Sequence, residues 1–259
     1  MRIHKLLLVL TAGALSACSN TLDVLPTSAI SSDVAINDAV GARAALQGAY
    51  AGLQLAGLYG HDLVDWTEVL SDNARWVGTF DDYADAQAHL LRSDNFRATS
   101  IWNDAYDEIN RANQIIAKVP GLTDLDDDEK NEILGEAYFL RALTYHNLVK
   151  LFGNTTNLGV TLRLEPVQSA AEANQATRST GAEVYTQILA DLAQAKQLIT
   201  AGRTQTRQAS LGAVSAIEAR VRLYQQDWAA AEAAALQVEN MGYSLAPTYP
   251  ELFEATGSN

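Results

Sequence analysis

The sequence predicts an all-α fold of repeated helical pairs interrupted by long irregular loops. Three observations carry this. Small and apolar residues recur at spacings of three and four along most of the chain beyond Ala39, the period of a helix face. Helix stop signals such as Pro120-Gly121 and Gly153 follow these stretches. No strand pattern stands out apart from a short piece at Val160–Leu164. At 48% hydrophobic residues in 259, the chain can fill a sizeable core.

The N-terminus comes first. A basic start (Arg2, Lys5), an apolar stretch from Leu6 to Leu15 and small residues after it form a secretory signal over residues 1–17. The apolar stretch is too short to span a bilayer. Cys18, the single cysteine, closes Leu15-Ser16-Ala17-Cys18. A cysteine placed there resembles the lipobox of bacterial lipoproteins, which makes Cys18 the acylated first residue of the mature chain. The alternative is an ordinary signal with an incidental cysteine. Residues 18–38, polar with Leu22-Asp23 and Pro26, read as a lipidated tether. No later segment has the length of a membrane span, so membrane attachment runs through Cys18.

The folded part is expected over 39–259. Ala39–Leu55 places Ala42, Ala45, Leu46, Ala49, Tyr50 and Leu53 at helical spacing. Residues 56–97 carry Gly57, Gly60, Gly78 and scattered aromatics, and predict broken helices and loops. Ser100–Val119 predicts a helix with Ser100 as N-cap, and Trp102, Tyr106, Ile109, Ala112 or Asn113, and Ile116 in register. Asp126–Phe152 predicts a longer one, with Asp126, Asp127, Asp128 and Glu129 at the positive end of its dipole. It bears two apolar stripes, one through Ile133, Ala137, Leu140, Thr144, Leu148 and Leu151. The other runs through Tyr138, Ala142, Tyr145, Val149 and Phe152, so the helix is expected between neighbours. Residues 153–179 are polar and irregular. Thr180 or Ser179 caps a helix to about Ile199. Gly202–Gln208 reads as a loop. Ala209–Gln225 and Trp228–Met241 form a hairpin turning at Gln226-Asp227.

Ala219, Trp228, Ala231 and Val238 fit the small-residue and aromatic spacing of a tetratricopeptide (TPR) helix pair, with the aromatic filling the gap at the turn. Asp126–Phe152 with Thr180–Ile199 predicts a second pair, split by an insertion. Such units stack and leave a concave groove. A generic antiparallel bundle is the alternative.

Several stretches together resemble one family, the SusD/RagB-like outer-membrane lipoproteins. They are the tether Leu22-Asp23 and Pro26, then WNDAYDEINRANQII (Trp102–Ile116), GEAYFLRALTYHNLVKLFG (Gly135–Gly153) and VYTQILADLAQAKQL (Val184–Leu198). ARVRLYQQDW (Ala219–Trp228), GYSL (Gly242–Leu245), Tyr249 and Leu252-Phe253 follow in order. The chain departs from the family pattern after Gly153, where it reads Asn154-Thr155-Thr156-Asn157-Leu158. Family chains extend well past this point, so the sequence is expected to be an N-terminal portion. The resemblance implies a surface lipoprotein that binds glycans, or peptides in some members, and delivers them to a SusC-type TonB-dependent transporter. It implies that the TPR face meets the transporter and that ligand sits on loops with exposed aromatics.

The residues themselves narrow the chemistry. Net charge is −13, or −15 once residues 1–17 are gone, which leaves 16 basic against 31 acidic residues and makes nucleic acid a poor partner. Trp66, Trp76, Phe80 and Tyr83, with Asp72 and Asn73, are the ligand candidates. Aromatic rings suit the C–H face of a sugar, and Asp and Asn suit its hydroxyl rim. The competing reading has these aromatics stapling an irregular region to the core. Asp124, Asp126 and Asp128 alternate like a calcium loop but lack its Gly and Glu, so they read as helix-terminus charge. Arg141 is expected in a buried ion pair or stacked on Tyr138 or Tyr145. His61, His89 and His146 lack metal spacing, and no nucleophile or phosphate motif occurs. Neither a cofactor nor catalysis is expected. A TPR scaffold lipoprotein without a small ligand is the rival reading, and exposed, coplanar aromatics within 56–97 would separate the two.

Overall fold

A computed structural model of the protein describes residues 32–173, 177–200, 207–243 and 247–249. The expected signal, Cys18, most of the tether, most of the Gly202–Gln208 loop and Leu252-Phe253 lie outside the described residues. The chain divides into two units, Met1–Ala35 and Ile36–Asn259. The first contributes a single described helical turn, Ser32–Ala35.

In the second unit, most helices start where a short polar side chain can take up the free backbone N–H groups. Asp38 accepts from Gly41 N to open α1 (Ala39–Gly52). The helices α2 (Asp62–Leu70) and α3 (Asp81–Gln87) break up the 56–97 region as expected and start without a side-chain cap. Asn95 accepts from Arg97 N and Ala98 N to open α4 (Phe96–Lys118). The Ser100 cap expected from sequence therefore lies five residues inside the helix. Asp126 caps α5 (Asp127–Phe152), as its sequence suggests. At α6 (Gly181–Leu198), Thr180 and Glu183 form a reciprocal capping box. Ser210 caps α7 (Leu211–Tyr224) and Asp227 caps α8 (Trp228–Glu239). Among the described residues the secondary structure is helical, with no strand. The architecture is all-α and TPR-like.

The α5 helix is the axis of the core. It packs against α6 on one side and α4 on the other, with α1 across both α4 and α5. Ile133, Ala137, Leu140, Thr144 and Leu148 of one stripe are buried, and so are Ala142, Tyr145 and Val149 of the other. The axes of α5 and α6 approach closely at Gly135, where a Cβ would stand 2.7 Å from Ile199 Cγ1. The second expected pair, α7 with α8, is present and turns at Gln226, whose φ is +62°. Trp228 does not fill that turn. It is 62% exposed, because α8 buries only its alanine stripe, Ala231 and Ala234.

The polar core is organised by Arg141. Its Nε and Nη2 donate to the two Asp191 carboxylate oxygens at 2.8 and 2.7 Å, which ties α5 to α6. Nη1 donates to Asn113 Oδ1 on α4 at 2.8 Å and to Leu164 O at 3.3 Å, and the guanidinium lies 5.4 Å over the Tyr138 ring. Arg141 thus makes both contacts anticipated for it. Asp124 and Asp126 are committed to helix ends, Asp124 accepting from Ala39 N at 2.8 Å and Asp126 from Glu129 N.

Residues 160–167 form neither helix nor strand, and Val160 O accepts from Ser179 N at 3.1 Å. Side chains replace the missing ladder. Tyr106 donates to Thr161 O at 2.8 Å, and Tyr145 both donates to Arg163 O (2.7 Å) and accepts from Arg163 N (2.6 Å). Asn113 donates to Arg163 O and Glu165 O, while Asn110 brackets Val167 by accepting from its N–H and donating to its carbonyl. The short extended piece expected at Val160–Leu164 is not a strand, and its backbone is held by side chains of helices α4 and α5.

One buried group opposes stability. His146 is wholly buried against Tyr185 and Tyr224, each ring edge-on to it, and neither ring nitrogen has a hydrogen-bond partner among the described residues. Burial, with Lys150 and Arg220 nearby, lowers its pKa to about 3. Since unfolded histidine titrates near 6.5, stability falls as pH drops below that value toward the folded pKa. His146→Phe keeps the aromatic contacts and removes two unsatisfied atoms. It is expected to gain about 1–3 kcal/mol at pH 7 in denaturant titrations and to lose this acid sensitivity.

Candidate functional site

The irregular region between α2 and α4 gathers the aromatic residues singled out in the sequence. Trp66, on α2, is 2% exposed, and its Nε1 donates to Asp82 O at 3.2 Å. The same carbonyl accepts from Asn95 Nδ2 at 3.1 Å, and Asp82 Oδ1 accepts from Phe96 N. One aspartate thus joins α2, α3 and the start of α4. Tyr83, on α3, is 3% exposed. Burial first, then the Asp65 carboxylate beside it, pushes the Tyr83 hydroxyl well above its ordinary range, so it stays protonated. Trp66 and Tyr83 are therefore core residues, and the expectation that they touch ligand is corrected by their burial.

Trp76 lies flat on Tyr83, with ring centroids 4.4 Å apart and planes 19° from parallel. Phe80 continues the series, 6.0 Å from Trp76 at 20°. The Trp76 amide donates to Gln87 Oε1 at 2.6 Å, which fixes the loop to the end of α3. At Gly78 a Cβ would overlap the Trp76 indole, so the loop needs glycine there for the ring to lie down. Phe80 is 57% exposed, and Trp76 is half-buried between it and the core. The result is a stack of near-parallel rings running from the interior to the surface. Asp72 and Asn73 are exposed on the same loop. Asp72 holds a left-handed backbone (φ +63°) and faces His89 at 3.5 Å.

Arg97 was not anticipated. Its guanidinium sits 5.1 Å from the Tyr83 ring centre and 5.8 Å from that of Phe80, and Nη1 donates to buried Asp62 at 2.9 Å. The one sequence signal was a cation at the start of a helix, where the dipole disfavours it unless carboxylates compensate. Gln87 gave no signal at all. His61, Asp62 and Asp65 bring possible ligand atoms within 4.8 Å of one another. His61 faces both carboxylates, at 2.8 and 3.2 Å, and Arg97 neutralises Asp62, so this grouping reads as an ion-pair cluster.

A family model for SusD-like proteins, described as starch-binding and associating with the outer membrane, matches residues 21–223. The chain belongs to the SusD-like family. It is 28% identical over 261 residues to SusD-like protein P2 of Formosa agariphila, an alignment that covers 98% of this chain and 50% of that one. SusD-like protein P38 of the same organism is 29% identical over 231 residues, covering 88% and 43%. Among solved structures, a SusD superfamily protein from Bacteroides thetaiotaomicron superposes with a TM-score of 0.72 at 26% identity, covering 82% of this chain and 49% of that one. A laminarin-binding SusD-like protein shares the fold, with a TM-score of 0.71 at 24% identity. The chain spans about half the length of the relatives it matches. The SusD-like match includes α1 to α6 and nearly all of α7, and so contains the whole ring stack.

Proposed function

We propose that this SusD-like chain binds a glycan on the Trp76–Phe80 face and serves as the capture component of a SusC-type TonB-dependent transporter. The single observation that carries this is the exposed end of a rigid, near-parallel ring stack. A sugar ring can lay its C–H face on Phe80 and the edge of Trp76 while Asp72 and Asn73 meet its hydroxyls. The stack is held by Gln87, Gly78 and the core Tyr83, so little ordering is needed on binding. The family description as starch-binding supports glycan over peptide. Binding and handover, without catalysis, is the whole of the role.

Acylation of Cys18 would hold the protein at the outer membrane, surface-exposed, in keeping with the family's membrane association. The rival scaffold reading draws on α7 and α8, where Leu223, Tyr224, Trp228 and Leu236 are exposed apolar groups. That face suits the transporter contact and is compatible with ligand capture elsewhere.

Titration calorimetry with maltoheptaose and laminarihexaose tests the reading. Trp76→Ala and Phe80→Ala are each expected to weaken binding about tenfold. Unchanged affinity in both would remove the platform from the site. No binding by the wild-type chain would leave the scaffold reading standing.

A further inference from the structure

A second concavity lies on the other side of α4. It has a volume of about 540 Å³, within the roughly 300–1,000 Å³ usual for small-ligand pockets. One wall is α4 and the other is the segment 160–167. At 3.6 residues per turn, Tyr106 points about 180° away from Arg97 around α4 and lies roughly 13 Å further along it. The cavity is thus separate from the Trp76–Phe80 stack.

Its chemistry comes in two rows. Trp102 and Tyr106 form an aromatic row, with ring centres 4.9 Å apart and tilted by 49°. Asn103 and Asp107, one residue further on, form a polar row with the same four-residue spacing. Neither makes a hydrogen bond or ion pair within the described residues. Three of the other polar side chains are already occupied. Asn110 and Asn113 grip the backbone of the opposite wall, and Tyr106 donates to Thr161 O. The Arg163 guanidinium lies 5.6 Å over the Tyr106 ring. The walls are therefore fixed by hydrogen bonds, while one amide and one carboxylate remain at the mouth with unused capacity beside two aromatic faces.

We infer that this cavity is a second saccharide subsite, taking a neutral sugar unit. Aromatic rows take the C–H faces of the ring. Asn103 supplies a donor and an acceptor, and Asp107 accepts from vicinal hydroxyls. The Asp107 carboxylate and the chain's charge of −13 disfavour an anionic sugar. The inference rests on the glycan reading above for its ligand class, and it adds a site that the ring stack does not explain. Two subsites on opposite faces of α4 would let one longer chain be held at two points, or two short ones separately.

The test separates the two sites. Asn103→Ala and Asp107→Ala alter exposed residues and should leave the melting temperature unchanged. With maltoheptaose and laminarihexaose in calorimetry, the Trp76→Ala/Phe80→Ala protein is expected to keep a weaker, residual binding event. Adding Asp107→Ala to it should weaken that event about tenfold, and Asn103→Ala should do likewise. Residual binding that is indifferent to both changes, or absent from the platform variant, overturns the subsite while leaving the platform in place. A wild-type protein that binds neither oligosaccharide overturns both readings.

Discussion

Arg141→Met is expected to destabilise the protein by about 3–5 kcal/mol, the cost of leaving a buried charge without its partner. Asp191 is 1% exposed and takes two of the Arg141 donors. Without them its carboxylate keeps, among the described residues, only Gln187, which donates at 2.8 Å. The same change frees Asn113 Oδ1 and Leu164 O, so the damage reaches α4 and the 160–167 segment as well. At about 2–4 °C per kcal/mol for a chain of this size, the melting temperature should fall by roughly 10 °C. The double variant Arg141→Met/Asp191→Leu removes both charges and should recover much of the loss. A single variant that melts within a degree or two of wild type would show that the pair contributes nothing net.

Glu108 should make the protein less stable as the medium becomes alkaline. It is wholly buried where α1 crosses α4, its Oε1 has no hydrogen-bond partner among the described residues, and Arg111 reaches Oε2 only at 3.4 Å. Gly52 of α1 sits so close that a Cβ there would overlap the Glu108 carboxyl. Burial raises the pKa to about 8, with Arg111 offsetting only part of the effect. The unfolded side chain titrates near 4.5. Below that pH both states are protonated and nothing is lost. As pH rises from 4.5 toward 8 the unfolded chain gives up its proton while the folded one holds it, and stability declines by about 1.4 kcal/mol per unit. The accumulated loss is on the order of 4 kcal/mol by pH 8. In the His146→Phe background, which removes the opposing acid sensitivity, Glu108→Gln cannot ionise, so its urea midpoint should stay level between pH 5 and 8 while that of the protein keeping Glu108 falls. Parallel pH profiles for the two proteins would rule the explanation out.

The helices were legible because their signals are local. The two stripes of α5 and the Thr180 cap of α6 are local features, and both are present. The start of α4 was misread because Asn95 does two jobs, capping the helix and anchoring Asp82, and the second needs a residue thirteen positions away. Phe96, exposed at the first turn, also broke the apolar rhythm. The ring stack was visible as a cluster of aromatics, but its order from buried to exposed was not. Burial of Trp66 and Tyr83 follows from the packing of α2 against α3 and α4, which no spacing encodes. Trp228 failed in the opposite sense, since the aromatic position of a repeat does not itself guarantee a neighbour to cover it. The pocket beside Trp102 and Asp107 was unreadable because its far wall comes from residues fifty positions downstream.

The grip on residues 160–167 has a consequence for how such a protein can diversify. Tyr106, Asn110, Asn113 and Tyr145 hold carbonyls and amides, which every residue type carries. The scaffold therefore places few demands on which side chains that segment displays. Mutations at Thr161 or Arg163 can alter the lining of the cavity while the backbone stays clamped in register. Substitution can re-letter this wall and leave the helices behind it untouched.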